Sequence, residues 1–183
     1  MVFGLLLGLV GCAGNPVVVG ERQAVVYGPR SGKERQLADE LFAEVNRYRV
    51  SIGRAPLKRH MGLDGLAQQH SEYMRRHRGT FNIAGKNISH FGFEGRASAA
   101  KSFMGMENVS ENLIAGNRSG GLGARQMVEG WKSSEGHLRN MRDPWDFTGL
   151  GVVVDSDGHV FATQIFATGA VKTSRWSGPQ VTF

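Results

Sequence analysis

The sequence predicts one α+β domain, with helices first and a β-hairpin last. Three observations carry that reading. Two stretches near the front repeat apolar residues at helical spacing. The clearest strand pair, "TGLGVVVDSDGHVFATQIFAT", closes the patterned region. Strands do not alternate with helices and no internal repeat occurs, which argues against a parallel α/β sheet. At 183 residues, 40% hydrophobic and 21% charged, the chain is long enough for one ordinary core.

The first helix begins near Ser31, where Ser31 and Glu34 have the spacing of a capping box. Leu37, Leu41, Val45, Tyr48 and Ile52 then form one apolar face, Gly53 suits the C-terminal cap and Pro56 lies beyond. A second helix spans about 63–77. Its inner face is Leu63, Leu66, Ala67, His70, Met74 and His77, and Arg75, Arg76 and Arg78 crowd the negative end of its dipole. Gly79 ends it. After Gly-punctuated loops, a short helix is expected over about 97–104 and a strand where Val109, Glu111 and Leu113 alternate. "GNRSGGLG" reads as a loop without the Gly-Lys-Ser/Thr of a phosphate loop. A helix follows over about 124–132. The hairpin pairs 149–154 with 160–167 across an Asp157-Gly158 turn.

The N-terminus carries a different signal. Val2 to Val10 are apolar, but nine residues are too few to cross a bilayer, which takes roughly 20. They suit a signal-peptide core. Leu9-Val10-Gly11-Cys12 follows directly and resembles a bacterial lipobox, although no Lys or Arg precedes the apolar run. Residues 1–11 are therefore expected to be a lipoprotein-type signal peptide, Cys12 the acylated anchor, 12–33 a tether and 169–183 a C-terminal tail. With Cys12 acylated, no thiol is left for catalysis and no disulfide can form, so stability rests on the core. The competing reading is a buried structural cysteine.

No ready-made catalytic signature is present. The six histidines include no H-E-x-x-H and no Cys/His cluster, and there is no G-x-S-x-G elbow. The net charge of +6 favours an anionic neighbour or is simply a solvated basic surface. Without a recognition motif it does not argue for nucleic acid. Any site must be assembled from distant segments. His90 in "ISHFGF", Glu111 in "SENLIAG" and His137 in the turn after the 124–132 helix are the candidates. Two imidazoles and a carboxylate are a competent set for a divalent transition metal with positions left for water. They serve equally as a polar knot that ties loops together.

Five blocks resemble, in order, those of the CAP superfamily, also called the SCP domain. They are "LFAEVNRYRVSIGRAPLKRH…GLAQQHSEYM", "ISHFGFEGRA", "VSENLIAG", "VEGWKSSEGHLRNM" and "FTGLGVVVDSDGHVFATQIFA", covering about residues 34–168. Trp131, Ser134, His137 and Asn140 match the pattern of the bacterial branch. The resemblance implies an α-β-α sandwich with a small antiparallel sheet between helical layers. It implies a cleft lined by His90, Glu111 and His137, with His90 and His137 as ligands if zinc or a similar ion binds. Ser134 is expected to cap the short helix carrying His137. Two departures stand out. Ser134 replaces a glutamate that eukaryotic members carry, and Phe161 stands where their second cleft histidine falls, with His159 two residues upstream.

The functional expectation is a secreted or lipid-anchored protein of the bacterial cell envelope, facing the periplasm or exterior. Its cleft would bind a small molecule, lipid or cell-wall component without established catalysis. Phe91, Phe93, Phe103, Met104 and Met106 flank the cleft segments, as acyl-chain acceptors or as ordinary core. The alternative is a metal-dependent, protease-like hydrolase with Glu111 as base.

Overall fold

In the computed structural model, residues 31–80 and 88–169 are described. Cys12, the signal segment, most of the tether and the tail beyond Gly169 lie outside them. The elements run α1 (Gly32–Ser51), β1 (Lys58–Arg59), α2 (Met61–Arg76), α3 (Phe93–Met104) and β2 (Met106–Asn117). After one 3-10 turn come α4 (Ala124–Lys132), α5 (Glu135–Arg142), β3 (Phe147–Val154) and β4 (His159–Gly169). The α+β class and the sandwich hold. Among the described residues, no helix is long and apolar enough to cross a membrane.

Local chemistry explains most boundaries. The capping box is complete: Ser31 Oγ accepts from the Glu34 amide at 3.1 Å, and Glu34 Oε2 accepts from the Ser31 amide at 2.9 Å. α1 therefore starts at Gly32, two residues inside the expected tether. Ile52, expected on the inner face, is instead the C-cap and is exposed, because the chain leaves the helix at Gly53 with φ +74°. α2 starts earlier than expected because His60 acts as N-cap, its Nδ1 facing the Leu63 amide at 3.4 Å. α3 begins at Phe93 rather than near 97. β2 is longer than the alternating core that announced it. The hairpin forms around Gly158, whose φ of +81° suits a residue without a side chain.

The sheet order is β1-β3-β4-β2. β3–β4 and β4–β2 are antiparallel. The two-residue β1 adds in parallel to β3, so the sheet is mixed rather than purely antiparallel. Alternation along the strands divides the core into two layers. Leu150, Val152, Val160, Ala162 and Phe166 face α1 and α4, packing on Leu37, Leu41, Val45, Met127 and Trp131. Ile165 and Ala167 pack against Leu63, Ala67 and Ala100 on the α2–α3 side, while Leu113 and Phe161 enclose Met74. Glu111 shares the parity of Leu113, so its side chain belongs to the α2–α3 face.

Trp131 is buried to 1% exposure and its indole Nε1–H donates to the Leu113 carbonyl at 3.0 Å. It fastens α4 to β2 by packing and by a hydrogen bond. Trp131→Ala should therefore cost about 3–5 kcal/mol in denaturant unfolding. A wild-type midpoint would show that the indole is dispensable.

Candidate functional site

β2 is an edge strand, and the site forms where α3 and α5 meet that edge. Glu111 is 4% exposed and projects from β2 toward α3. Arg96 of α3 grips it bidentately, Nε to Oε2 at 2.8 Å and Nη2 to Oε1 at 2.8 Å. His90 Nδ1 lies 2.9 Å from the same Oε1. Because a carboxylate only accepts, Nδ1 carries the proton in this contact. The third guanidinium nitrogen, Nη1, donates to the Phe91 carbonyl at 3.0 Å, which fixes the turn that presents His90. Burial alone would raise the Glu111 pKa, but the hydrogen bonds from His90 and Arg96 and the Arg96 charge outweigh it. The carboxyl stays below its usual range.

His70 of α2 completes the buried cluster. Its Nε2 donates to the Ser89 carbonyl at 2.7 Å, holding the segment just before His90. Burial is the chief reason its pKa falls from 6.5 to about 4, assisted by the Arg96 and His90 charges and opposed by Glu111. The cluster at neutral pH is thus a neutral imidazole beside a compensated ion pair.

His137 arrives from the other side. It lies in the first turn of α5, not in a bare turn. Ser134 is the N-cap by position, but its side chain makes no capping hydrogen bond, contrary to expectation. What places the turn is a pair of asparagines. Asn112 Nδ2 donates to the His137 carbonyl at 3.1 Å. Asn140 Nδ2 donates to Asn112 Oδ1 at 2.9 Å and approaches the Glu111 carbonyl at 3.2 Å. His90, Glu111 and His137 then line one cavity of about 390 Å³ with Ser134, Arg139 and Phe93. The three residues singled out in the sequence are brought together around it. His159 is not among them. It opens β4 opposite Asn117, with its ring 4.8 Å from Phe161. Of the apolar residues expected near the cleft, Phe93 lines it and Phe91 borders a neighbouring hollow with Tyr73. Met106 is core, Met104 is half-buried against it, and Phe103 is 85% exposed.

Arg96, Asn112 and Asn140 carry much of this arrangement, and only Asn140 was marked in the sequence. The signal for Arg96 was indirect: a carboxylate buried in a strand requires a cation, and "FEGRA" supplies one at the α3 N-terminus.

Both Glu111 oxygens are engaged by Arg96, so the carboxylate is not available as a metal ligand, while His90 donates Nδ1–H to it and keeps Nε2 as its lone-pair nitrogen. Among the described residues, no group of three His, Cys, Asp or Glu side chains is disposed to hold an ion.

The chain is thus a three-layer sandwich with a cleft lined by His90, Glu111 and His137 at one sheet edge. The chain belongs to the CAP family, described as the cysteine-rich secretory protein family: residues 42–166, more than half its length, match the family model. No curated protein matches it. Among solved structures, it is similar to an outer surface protein from Borrelia burgdorferi, at 17% identity and TM-score 0.61, over 74% of this chain and 94% of that one. An extracellular SCP-domain protein from Bacillus anthracis is 22% identical with TM-score 0.56, over 77% of this chain but 45% of that one. A cysteine-rich secretory protein from Staphylococcus aureus is 15% identical with TM-score 0.54, over 75% of this chain and 40% of that one. These likenesses establish the shared fold.

The His70 shift predicts an acid sensitivity. Its folded pKa lies below its unfolded value, so the unfolded chain binds the extra proton first. Stability should fall as pH drops from about 6.5 to about 4, by on the order of 3 kcal/mol from this residue. Urea midpoints of wild type and His70→Gln across that window test it. Parallel profiles would remove His70 from the cause. Glu111 acts lower, since its stabilising ionised form is lost only below the ordinary carboxylate range.

Proposed function

We propose that this protein is a ligand-binding module of the bacterial cell envelope, anchored through an acylated Cys12 and facing outward. The observation that carries the binding role is the cleft itself. It is a cavity of about 390 Å³ at the sheet edge whose polar walls come from three separate segments and are held by hydrogen bonds from Arg96, Asn112 and Asn140. Such convergence of fixed polar groups on a concave surface is the usual form of a small-molecule site. The anchor rests on Leu9-Val10-Gly11-Cys12 after the apolar run. The outward address draws on the fold neighbours described as an outer surface protein and an extracellular protein.

The reading as a metal-dependent hydrolase has no observation behind it. A carboxylate locked by Arg96 and held ionised is a weak base, and fold alone does not confer chemistry.

Two measurements test the reading. Cys12→Ala should move the protein from the membrane pellet to the soluble fraction, and unchanged partition would remove the anchor. Solubilised cell-wall muropeptides added to the isotope-labelled chain should shift backbone amides of His90, Ser110 and residues 134–140. Shifts confined to other surfaces would show that the cleft is not the ligand site.

A further inference from the structure

Glu111 meets the cleft with its main chain, not with its carboxylate. The whole residue is 4% exposed and its side chain only 1%, so what is exposed is mostly backbone. The register of β2 explains this. Its odd-numbered residues turn N–H and C=O away from β4, as the Glu111 and Leu113 carbonyls show by accepting from Asn140 and Trp131. Those two clamps cover the middle of the edge. Toward the start of the strand they stop. Among the described residues, nothing accepts from the amides of Val109 and Glu111, and nothing donates to the Val109 carbonyl.

These three groups run donor, acceptor, donor along about 7 Å of extended chain, which is half of the ladder that an added strand completes. Val109, Ser110 and Glu111 lie along the cavity of about 390 Å³, with His90 and Phe93 on the α3 side and residues 134–140 of α5 on the other. The walls select the visitor. A second copy would bring its own helical layers into α3 and α5, whereas a single extended chain needs only about 5 Å beside the edge. His90 adds an acceptor. With Nδ1–H given to Glu111, Nε2 keeps its lone pair, on a side chain that is 54% exposed. An anion would satisfy only the donors in this set and a metal ion only the acceptors. A peptide backbone alternates N–H and C=O and satisfies both.

We infer that the cleft takes an extended peptide, which adds to the open end of β2 as a short fifth strand and bonds the main chain of Val109 and Glu111. The inference rests on the reading of this cleft as a ligand site and names the chemistry of the ligand. Recognition of this kind draws its affinity from main-chain hydrogen bonds and reads the shape of the chain before its sequence. Phe93 is the apolar neighbour on the α3 side. The added strand ends where Asn140 already holds the Glu111 carbonyl.

Three probes, titrated separately into the intact labelled chain, test this. They are acetyl-Thr-Val-Thr-Val-Thr-amide, the same peptide N-methylated at its three central residues so that neither of its edges can pair, and N-acetylglucosamine. The first peptide should give saturable shifts at Val109, Ser110 and Glu111. At saturation it should slow hydrogen exchange of the Val109 and Glu111 amides about tenfold or more, as new hydrogen bonds protect them. The methylated peptide should bind roughly tenfold more weakly or not at all. Val109→Pro removes one edge donor where an outward-facing N–H lets proline be tolerated, and it should weaken the first peptide by a similar factor. Val109→Ala keeps that N–H and should bind within about threefold of wild type. Should the proline variant fail to fold, the methylated peptide and the amide exchange decide. Equal binding of the two peptides, or shifts without slowed exchange at Val109 and Glu111, would overturn the inference. A response to N-acetylglucosamine with none to the first peptide would also overturn it, while leaving the cleft a ligand site. Silence toward all three probes with a cleft still shifted by muropeptides would overturn this inference alone, and silence toward muropeptides as well would remove both readings.

Discussion

Everything in this fold depends on α2 lying with its backbone directly on β3. A Cβ at Gly149 would sit 2.1 Å from the Leu63 carbonyl carbon, and one at Gly151 would sit 2.2 Å from that of Ala67. No side chain fits between helix and strand, so both positions require glycine. The closeness solves a second problem. β1 pairs with β3 only at Phe147 and Thr148, which leaves the outer amides of the rest of β3 without a strand partner. Asp64 Oδ1 takes the Leu150 amide at 2.8 Å, Gln68 Oε1 takes Val152 at 3.0 Å, and Glu34 Oε1 takes Val154 at 3.0 Å. Each unpaired buried amide would cost about 1–3 kcal/mol. Two of these acceptors reach the strand only because α2 has no gap beneath it, and the third is the capping-box glutamate in the first turn of α1.

The opposite edge is closed by different means, and the site is a consequence. On β2, the Glu111 and Leu113 carbonyls point away from β4 and are met by Asn140 and Trp131. Asn112 in turn holds the His137 carbonyl, and buried Arg49 of α1 takes the Met141 and Asp143 carbonyls at 2.8 and 2.9 Å. α5 is thus fastened at its first turn by the sheet and at its last by α1. The spacing of Trp131, His137 and Asn140 follows from this. Trp131 and Asn140 are edge clamps, and His137 is the residue whose main chain is clamped between them. Side-chain clamps leave more room at a sheet edge than another strand would, and the cavity occupies that room.

How far the sequence was legible follows the range of the interactions. The capping box, the apolar stripe of α1, the α4 helix and the closing hairpin are local patterns and were readable as such. β1 has two residues and no periodicity to detect. α5 was foreseen only as a short helix, because eight residues after a Ser-Ser turn offer few apolar positions. "TGLG" was read as strand, yet its glycines answer to α2, more than eighty residues earlier, and no local rule encodes that. His90, Glu111 and His137 were placed in one cleft by resemblance, while the residues alone left a metal site and a polar knot both open. Arg96, which holds Glu111, lies fifteen residues before it in another element, at a position the sequence assigned to a loop.

The buried cluster behind the cleft satisfies a strict electrostatic condition. Arg96 and Glu111 cancel, and His70 is kept neutral by burial, so the interior behind the cleft carries no net charge at neutral pH. Any other assignment would leave an uncompensated charge where desolvation is severe. Because the interior is silent, the field inside the cleft is set by what lines its open walls. Glu111 organises the wall by fixing His90 and α3. Its three hydrogen bonds, two from Arg96 and one from His90, engage both oxygens, so an incoming ion would compete with Arg96 for them. The structural role of Glu111 and a cation-binding role therefore compete for the same two oxygens, and the bidentate geometry at 2.8 Å shows which of them the fold has adopted.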